Sequence, residues 1–549
     1  MADITGSEIL ARSLKNEGTD DLFFIMGGPN QLVLRHAPKV GIRPIDVRHE
    51  QAAALMAQAY ARLLQKPGVC LGASGPGAIN LTTGLANALI DCAPVVAIGG
   101  SSSIMEYGKQ TFQEIDQMQI MRGCTKWSQQ VLNVKRIPQI VNTAFQKAMG
   151  GKPGPVYLDF PGDILYQKVP EESVDWSLSG RSLLRARPQG ETTKVNELIE
   201  ALSKASKPII LTGSGVIWSQ AWPELQALVE QAGIPFYTTP QGRGVVPDDH
   251  ELSFLAMRSS AFKDADLILI IGTRMNYVIN HAAPPRFNAN ATIARIDIDF
   301  EEIASAPRKI DIGIVGDCKA VLQQMLAAMK GKVDKARYAD WRKMLGEGEA
   351  KKNAKSGGDH MFATPIHPLR LCEEVKNFMD RDGILVVDGQ DILNFGRQSM
   401  PTFSPGHRLN SGPFGMMGVG LPFGIGAKVA KPDKQVIVVH GDGSFGLNCM
   451  ELDTAVRHKI PILVIISLNG GWTADPEREK VGRDLGYTRF DKMAEALGCY
   501  AEFVEKPDDI RPALERAQKQ VNEGKVALLN VKTDDTASAT TVRFSAYRT

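Results

Sequence analysis

Short apolar runs recur along this chain, and longer amphipathic stretches separate them. Asp21-Leu-Phe-Phe-Ile-Met26, Gly68-Val-Cys-Leu-Gly72 and Pro94-Val-Val-Ala-Ile98 read as strands, with a helix predicted over Glu50 to Leu64. A second set follows at Pro208-Ile-Ile-Leu-Thr212, Leu267-Ile-Leu-Ile-Ile271 and Ile293-Ala-Arg-Ile-Asp297. A third comprises Ile384-Leu-Val-Val-Asp388, Gln435-Val-Ile-Val-Val-His440 and Ile462-Leu-Val-Ile-Ile-Ser467. Strands apolar on both faces must be covered on both sides, and strands that alternate with helices build parallel sheets. The expected fold class is therefore α/β, with three doubly wound parallel-sheet domains. No short-period repeat points to a solenoid.

Two polar stretches interrupt the pattern, Leu178 to Gly190 and Glu347 to Gly358. Both lack apolar periodicity and carry charge and helix breakers, so both are predicted as linkers. They divide the chain into blocks 1–177, 191–346 and 359–533. A division is required, because 549 residues exceed the roughly 250–300 that one core organises. The segment 534–549, with Val542-Arg543-Phe544-Ser545-Ala546-Tyr547-Arg548, stands apart as either a frayed tail or a lid.

Composition narrows the function. A net charge of +2 gives no nucleic-acid footprint and no general pull toward anionic membranes. No apolar run approaches the roughly 18–20 residues that cross a bilayer. The seven cysteines (70, 92, 124, 318, 372, 449 and 499) are scattered and form no C-x-x-C pair. A disulfide framework or zinc site is not expected, and a reducing cytoplasm fits. Met1-Ala2-Asp3-Ile4-Thr5 has neither the basic nor the apolar region of a signal peptide, which also points to the cytoplasm.

The chemistry concentrates at strand ends. The strand ending at His440 runs into Gly441-Asp442-Gly443-Ser444. Small residues at the carboxyl end of a parallel strand admit a ligand, and glycines let the backbone approach phosphate oxygens. Asp442 offers a hard oxygen to Mg²⁺. Twenty-seven residues later a second strand ends in Leu468-Asn469-Gly470-Gly471, where Asn469 offers an amide oxygen and Gly471 a main-chain carbonyl. G-D-G alone is a common turn; the joint pattern is specific. In block one, Glu50 opens the predicted helix after Asp46-Val-Arg-His49. Alone it is explained by favourable placement against the helix dipole.

The G-D-G and Asn469 arrangement resembles the thiamine-diphosphate signature of the acetolactate synthase, pyruvate oxidase and decarboxylase superfamily. Gly72-Ala-Ser-Gly-Pro76-Gly-Ala-Ile-Asn80 resembles its pyrimidine-binding loop, with Pro76 and Asn80 facing the cofactor. The family commonly has two asparagines where this chain has Leu468 and Asn469. The metal-binding one matches Asn469, so the metal site is expected to survive. The resemblance makes Glu50 the carboxylate that activates the coenzyme through its aminopyrimidine ring. It also excludes the carboligase branch that lacks this group. Gly389 and Gln390 match the diphosphate side. Asn410 to Gly418 resembles the segment that props the coenzyme into its bent shape, through Met417 with Met416 as a rival. Block one supplies the pyrimidine side and block three the diphosphate side, from different subunits, so a homodimer at minimum and a homotetramer are implied.

Within the superfamily, Met26-Gly-Gly-Pro29, Phe112-Gln113-Glu114 and the ending Arg543 to Arg548 look most like bacterial 2-hydroxyacyl-CoA lyases, with relatives that act on 2-hydroxyisobutyryl-CoA. The implied reaction cleaves the C1–C2 bond of an acyl-CoA substrate to formyl-CoA and an aldehyde or ketone. Gln113 would orient the carbonyl or hydroxyl, Phe112 would line the acyl site, and Arg543 and Arg548 would pair with CoA phosphates. His49 is expected to be buried and structural. The central block carries Thr212-Gly-Ser-Gly215, Gly272-Thr-Arg274 and Ile296-Asp297, and the resemblance assigns ADP or CoA to it, with Arg274 and Asp297 as contacts. The rival readings are an oxalyl-CoA decarboxylase, an acetolactate-synthase-like carboligase and a non-catalytic nucleotide-binding protein.

Overall fold

The computed structural model describes residues 3–183, 186–354, 358 and 362–539. The predicted strands are present almost at their expected bounds, as Asp21–Phe24, Gly68–Gly72, Pro208–Thr212, Leu267–Ile271, Ile384–Asp388, Val436–Gly441 and Leu463–Leu468 among others. The predicted helix runs from Glu50 to Leu64. These strands are buried along nearly their whole length. That is why their sequence is continuously apolar rather than alternating.

Among the described residues three large sheets form, in which the described pairings are parallel, beside a small antiparallel pair of Asp3–Thr5 with Lys168–Pro170. The first and third have six strands each. Numbered along the chain within each sheet, both follow the order 2-1-3-4-6-5. The middle sheet has five strands in the order 2-1-3-4-5. In every case the order reverses between the first and third strands, and the crevice outside their carboxyl ends is where such sheets bind ligands.

The first and third sheets belong to one compact unit and the middle sheet to another, which also takes in Arg397–Arg408. Inside the first unit the Glu50–Leu64 helix packs against the helix Gly420–Ala430. The contact is close enough that a Cβ on Gly426 would stand 2.4 Å from the carbonyl oxygen of Met56. The alanines at 52, 53, 54, 57, 59 and 61 are all buried, so this helix is thin on every side, and Ala54 meets Gly84 of another helix.

One expectation fails. The stretch predicted as a linker from Glu347 is helical through Asn353, as the end of a helix that begins at Ala339. Only Trp341 and Leu345 of that helix are buried. A helix that buries two residues leaves almost no apolar stripe to detect. The segment 534–549 proposed as a lid is described only to Ala539, so Arg543 and Arg548 lie outside the described residues.

Candidate active site

Glu50 is the first residue of its helix and is 7% exposed. One carboxylate oxygen accepts a hydrogen bond from Asn80 Nδ2 at 2.9 Å. His49 caps the same helix, its Nδ1 accepting from the main-chain N–H of Gln51 at 3.1 Å. His49 is exposed, not buried as expected. Capping requires only that the ring nitrogen reach the first free N–H groups of the helix, so the imidazole need not enter the core.

Glu50 lines a cavity of about 530 Å³ at the reversal point of the first sheet. Ile25 to Pro29 follow the first strand into it, and Ala73, Ser74, Pro76, Gly77 and Asn80 follow the third. Phe112 and Gln113 form a further part of the wall, beside Ser101, Ser103, Gly162 and Tyr166. Gly75 makes this junction feasible. Its φ is +58°, and a Cβ there would stand 2.5 Å from the carbonyl oxygen of Gln113, so no larger residue fits. Gln113 itself has φ +62°, a left-handed conformation costing on the order of 1–3 kcal/mol in a non-glycine residue. Ser74 Oγ donates to Gln113 Oε1 at 2.6 Å, which leaves the amide nitrogen as the end able to donate to a ligand. Beneath, Gln117 accepts from Gly75 N at 3.0 Å and donates to Gly100 O at 2.7 Å and to Tyr157 Oη at 2.8 Å.

The diphosphate-side residues gather elsewhere. Gly389, Gln390, Met417, Gly441, Asp442, Gly443, Ser444, Asn469 and Gly471 all line one cleft at the reversal point of the third sheet. Met416 is not among its lining residues, which favours Met417 over its rival. Asp442 is 3% exposed. Its Oδ1 accepts from Gly443 N at 2.9 Å, while Oδ2 is buried with no partner. Burial pushes its carboxyl up to about 6, against the main-chain N–H groups of Gly443, Gly471 and Gly470 and the Arg483 guanidinium, which pull it down. A divalent cation would relieve that unpartnered oxygen, so the donor set fits magnesium: carboxylate, amide oxygen and main-chain carbonyl, all hard.

Leu468, the departure from the paired asparagines, is fully buried as the last residue of its strand, and Asn469 enters the cleft. Successive residues face opposite sides, so Leu468 serves the core. Restoring asparagine there is expected to cost about 1–3 kcal/mol of stability, because its amide would be buried among apolar neighbours. Chemical denaturation checks the cost. Magnesium affinity is expected to stay unchanged.

Two residues, one lining this cleft and one behind its loop, carry no local sequence signal. The Trp472 ring covers Gly443, where a Cβ would stand 2.6 Å from it. Arg483, 4% exposed, donates to the carbonyls of Thr473 (2.6 Å) and Asn469 (2.9 Å) and so fixes the loop after the metal-side strand. Asp391 ties the facing turn to the same loop, accepting from Ala474 N at 2.8 Å.

In the middle unit the glycines are explained by packing. A Cβ on Gly215 would stand 2.6 Å from Gly272 Cα, and one on Gly213 2.5 Å from Thr273 Cβ. Both oxygens of Asp297 are engaged within the protein, by Arg295 at 3.1 Å and by Asp299 N at 3.1 Å. Arg274 is half-buried nearby in sequence. Sequence reasoning missed a pair of arginines. Arg258 and Arg286 flank the Phe262 ring at 5.2 and 5.9 Å. Burial and then the neighbouring Arg286 and Arg243 push the Arg258 guanidinium down to about 10. Among the described residues neither Arg258 nor Arg286 forms an ion pair with a carboxylate, an arrangement that an anion would stabilise.

Comparison with known proteins agrees with this geometry. The N-terminal TPP-binding domain of thiamine pyrophosphate enzymes matches residues 4–120, their central domain 195–325 and their C-terminal TPP-binding domain 393–531. A 2-hydroxyacyl-CoA lyase of Arabidopsis thaliana is 33% identical, over 98% of this chain and 96% of its own. An acetolactate synthase large subunit of Mycobacterium tuberculosis is 32% identical, over 96% and 95%. The oxalyl-CoA decarboxylase of Escherichia coli is 30% identical, over 97% and 95%. With three matched domains and relatives aligned almost end to end, this chain belongs to the thiamine pyrophosphate enzymes.

Proposed function

We propose that this protein is a thiamine-diphosphate- and magnesium-dependent lyase. Its reaction cleaves the C1–C2 bond of a 2-hydroxyacyl-CoA to formyl-CoA and an aldehyde or ketone, and runs in reverse as a condensation. The observation that carries this reading is the cavity wall where Glu50 and Gln113 stand together, in a chain similar end to end to a 2-hydroxyacyl-CoA lyase. When bound, the coenzyme supplies a carbon nucleophile and a sink for the electron pair of the broken bond.

The chain's own residues do the rest. Asp442, Asn469 and the carbonyl of Gly471 would hold the magnesium, while Gly441, Gly443, Ser444, Gly389 and Gln390 would surround the diphosphate and Met417 would pack against the coenzyme. Glu50 exchanges a proton with the aminopyrimidine through the oxygen that does not accept from Asn80, with Pro76 and Asn80 beside it. Gln113 donates its amide N–H to the substrate carbonyl or hydroxyl oxygen, held by Ser74. Phe112 lines the acyl chain. For the CoA moiety we assign Arg258 and Arg286 together with Arg274 in the middle unit, where ADP or CoA binds. Replacing Arg258 or Arg286 by alanine is expected to raise KM for the acyl-CoA about tenfold with kcat nearly unchanged. Steady-state kinetics check this, and a fall in kcat with constant KM would contradict the assignment.

The pyrimidine-side cavity and the diphosphate-side cleft share no lining residue. Met105 and Phe112, 77% and 87% exposed, leave large apolar groups uncovered on the pyrimidine side. We therefore place the complete site between copies of the chain, in a homodimer at minimum and a homotetramer as the expected form. Mass spectrometry after reconstitution tests the cofactor assignment: one thiamine diphosphate per chain is expected. A protein that takes up no coenzyme and turns over no 2-hydroxyacyl-CoA would instead be a non-catalytic nucleotide binder.

A further inference from the structure

The stretch that delivers Glu50 to its cavity is held from the other end of the chain. Glu451, in the helix Glu451–Arg457, is 1% exposed. Its Oε1 accepts from the main-chain N–H groups of Arg48 at 3.0 Å and His49 at 3.1 Å. Its other oxygen accepts from Thr454 Oγ1 at 2.7 Å. These two N–H groups lie immediately before Glu50, outside the helix, where no intrahelical partner exists. A ring of more exposed pairs surrounds the contact. Arg48 meets Asp453 at 2.7 Å, Asp46 meets Arg457 at 2.6 Å and His458 at 2.7 Å, and Arg43 donates to the carbonyl of His458 at 3.1 Å. Exposed pairs of this kind hold little by themselves. The buried carboxylate is different: it accepts three hydrogen bonds out of water, and two of them fix main-chain atoms.

We infer that Glu451 is a positioning residue for Glu50: its carboxylate clamps the main chain at Arg48 and His49 and so sets where the activating carboxylate points. The clamp crosses from the block that carries Asp442 to the block that carries Glu50. Glu451 touches neither coenzyme nor substrate in this role. Burial pushes its carboxyl up to about 7, so a neutral acceptor can stand in for it. Glutamine keeps a carbonyl oxygen for the two N–H groups, and the Thr454 hydroxyl can turn to accept from the amide. Alanine removes the acceptor, and aspartate withdraws it by one methylene.

The inference rests on Glu50 being the activating carboxylate, and the test separates the two. Exchange of the thiazolium C2 proton for deuterium is measured in the magnesium-loaded holoenzyme for wild type, Glu451→Ala, Glu451→Gln and Glu50→Gln. Amide exchange of a peptide spanning 46–51 is measured in each protein without coenzyme. Because small misplacements of catalytic groups cost rate steeply, Glu451→Ala is expected to slow C2 exchange about tenfold or more with KM nearly unchanged. It is also expected to raise amide exchange of the 46–51 peptide about tenfold. Glu451→Gln should stay near wild type in both. If Glu451→Ala does not fold, Glu451→Asp is expected to show the same pair of losses. Wild-type C2 exchange in Glu451→Ala or Glu451→Asp, unchanged amide protection in either, or a Glu451→Gln variant as impaired as alanine would each overturn the inference. Wild-type C2 exchange in Glu50→Gln would unseat the reading of Glu50 itself, and with it the inference.

Discussion

Glu50→Gln is expected to bind thiamine diphosphate about as well as wild type and to lose turnover by about 10²–10⁴-fold, the usual worth of a positioned proton-transfer group. Glutamine keeps the size of the side chain and the acceptor oxygen that meets Asn80 Nδ2 at 2.9 Å. It removes only the ability to exchange a proton. The pocket should therefore keep its shape, and coenzyme affinity should report that. Steady-state turnover of a 2-hydroxyacyl-CoA, set beside coenzyme titration, separates the two properties. A variant that turns over at the wild-type rate would contradict the assigned role. One that loses coenzyme and activity together would show that Glu50 mainly builds the pocket.

Asp442→Asn should fail in the opposite way. Coenzyme affinity in the presence of magnesium is expected to fall by at least about 100-fold, more than the 10–100-fold typical of changes around a metal's ligands. The protein without coenzyme should be no less stable than wild type. Asparagine retains an oxygen for Gly443 N, and the oxygen it replaces has no partner inside the protein. Titration calorimetry and thermal denaturation of the apoprotein read these two quantities independently. Unchanged magnesium-dependent binding would remove Asp442 from the metal site.

The chain announces its strands because parallel strands covered on both faces must be apolar throughout, and Pro208–Thr212 or Leu463–Leu468 can hardly be anything else. Strand ends rich in Gly, Asp and Asn are equally legible: Gly441, Asp442, Gly443, Ser444, Asn469 and Gly471 line a single cleft, together with Gly389, Gln390 and Met417, which the family resemblance supplied. The helix Ala339–Asn353 is hidden because it buries only Trp341 and Leu345. The pairing of Ser74 with Gln113 joins loops 39 residues apart, and Arg483 reaches back 14 residues to the carbonyl of Asn469. Neither leaves a periodic trace. The strand order shared by the first and third sheets is likewise invisible, because it lies in topology and not in repeated residues. His49 was misplaced for a related reason: a helix cap depends on local backbone geometry, while its neighbours Val47 and Glu50 are buried.

The reaction itself is the claim that similar relatives divide on, since lyase, acetolactate synthase and oxalyl-CoA decarboxylase all align along nearly the whole chain. The most direct measurement is product analysis of the reconstituted enzyme offered, separately, several 2-hydroxyacyl-CoA thioesters, oxalyl-CoA and pyruvate. The account predicts formyl-CoA with the matching aldehyde or ketone from at least one 2-hydroxyacyl-CoA, as the fastest of the three reactions. Dominant CO₂ release from oxalyl-CoA, or efficient conversion of pyruvate to acetolactate, would contradict it.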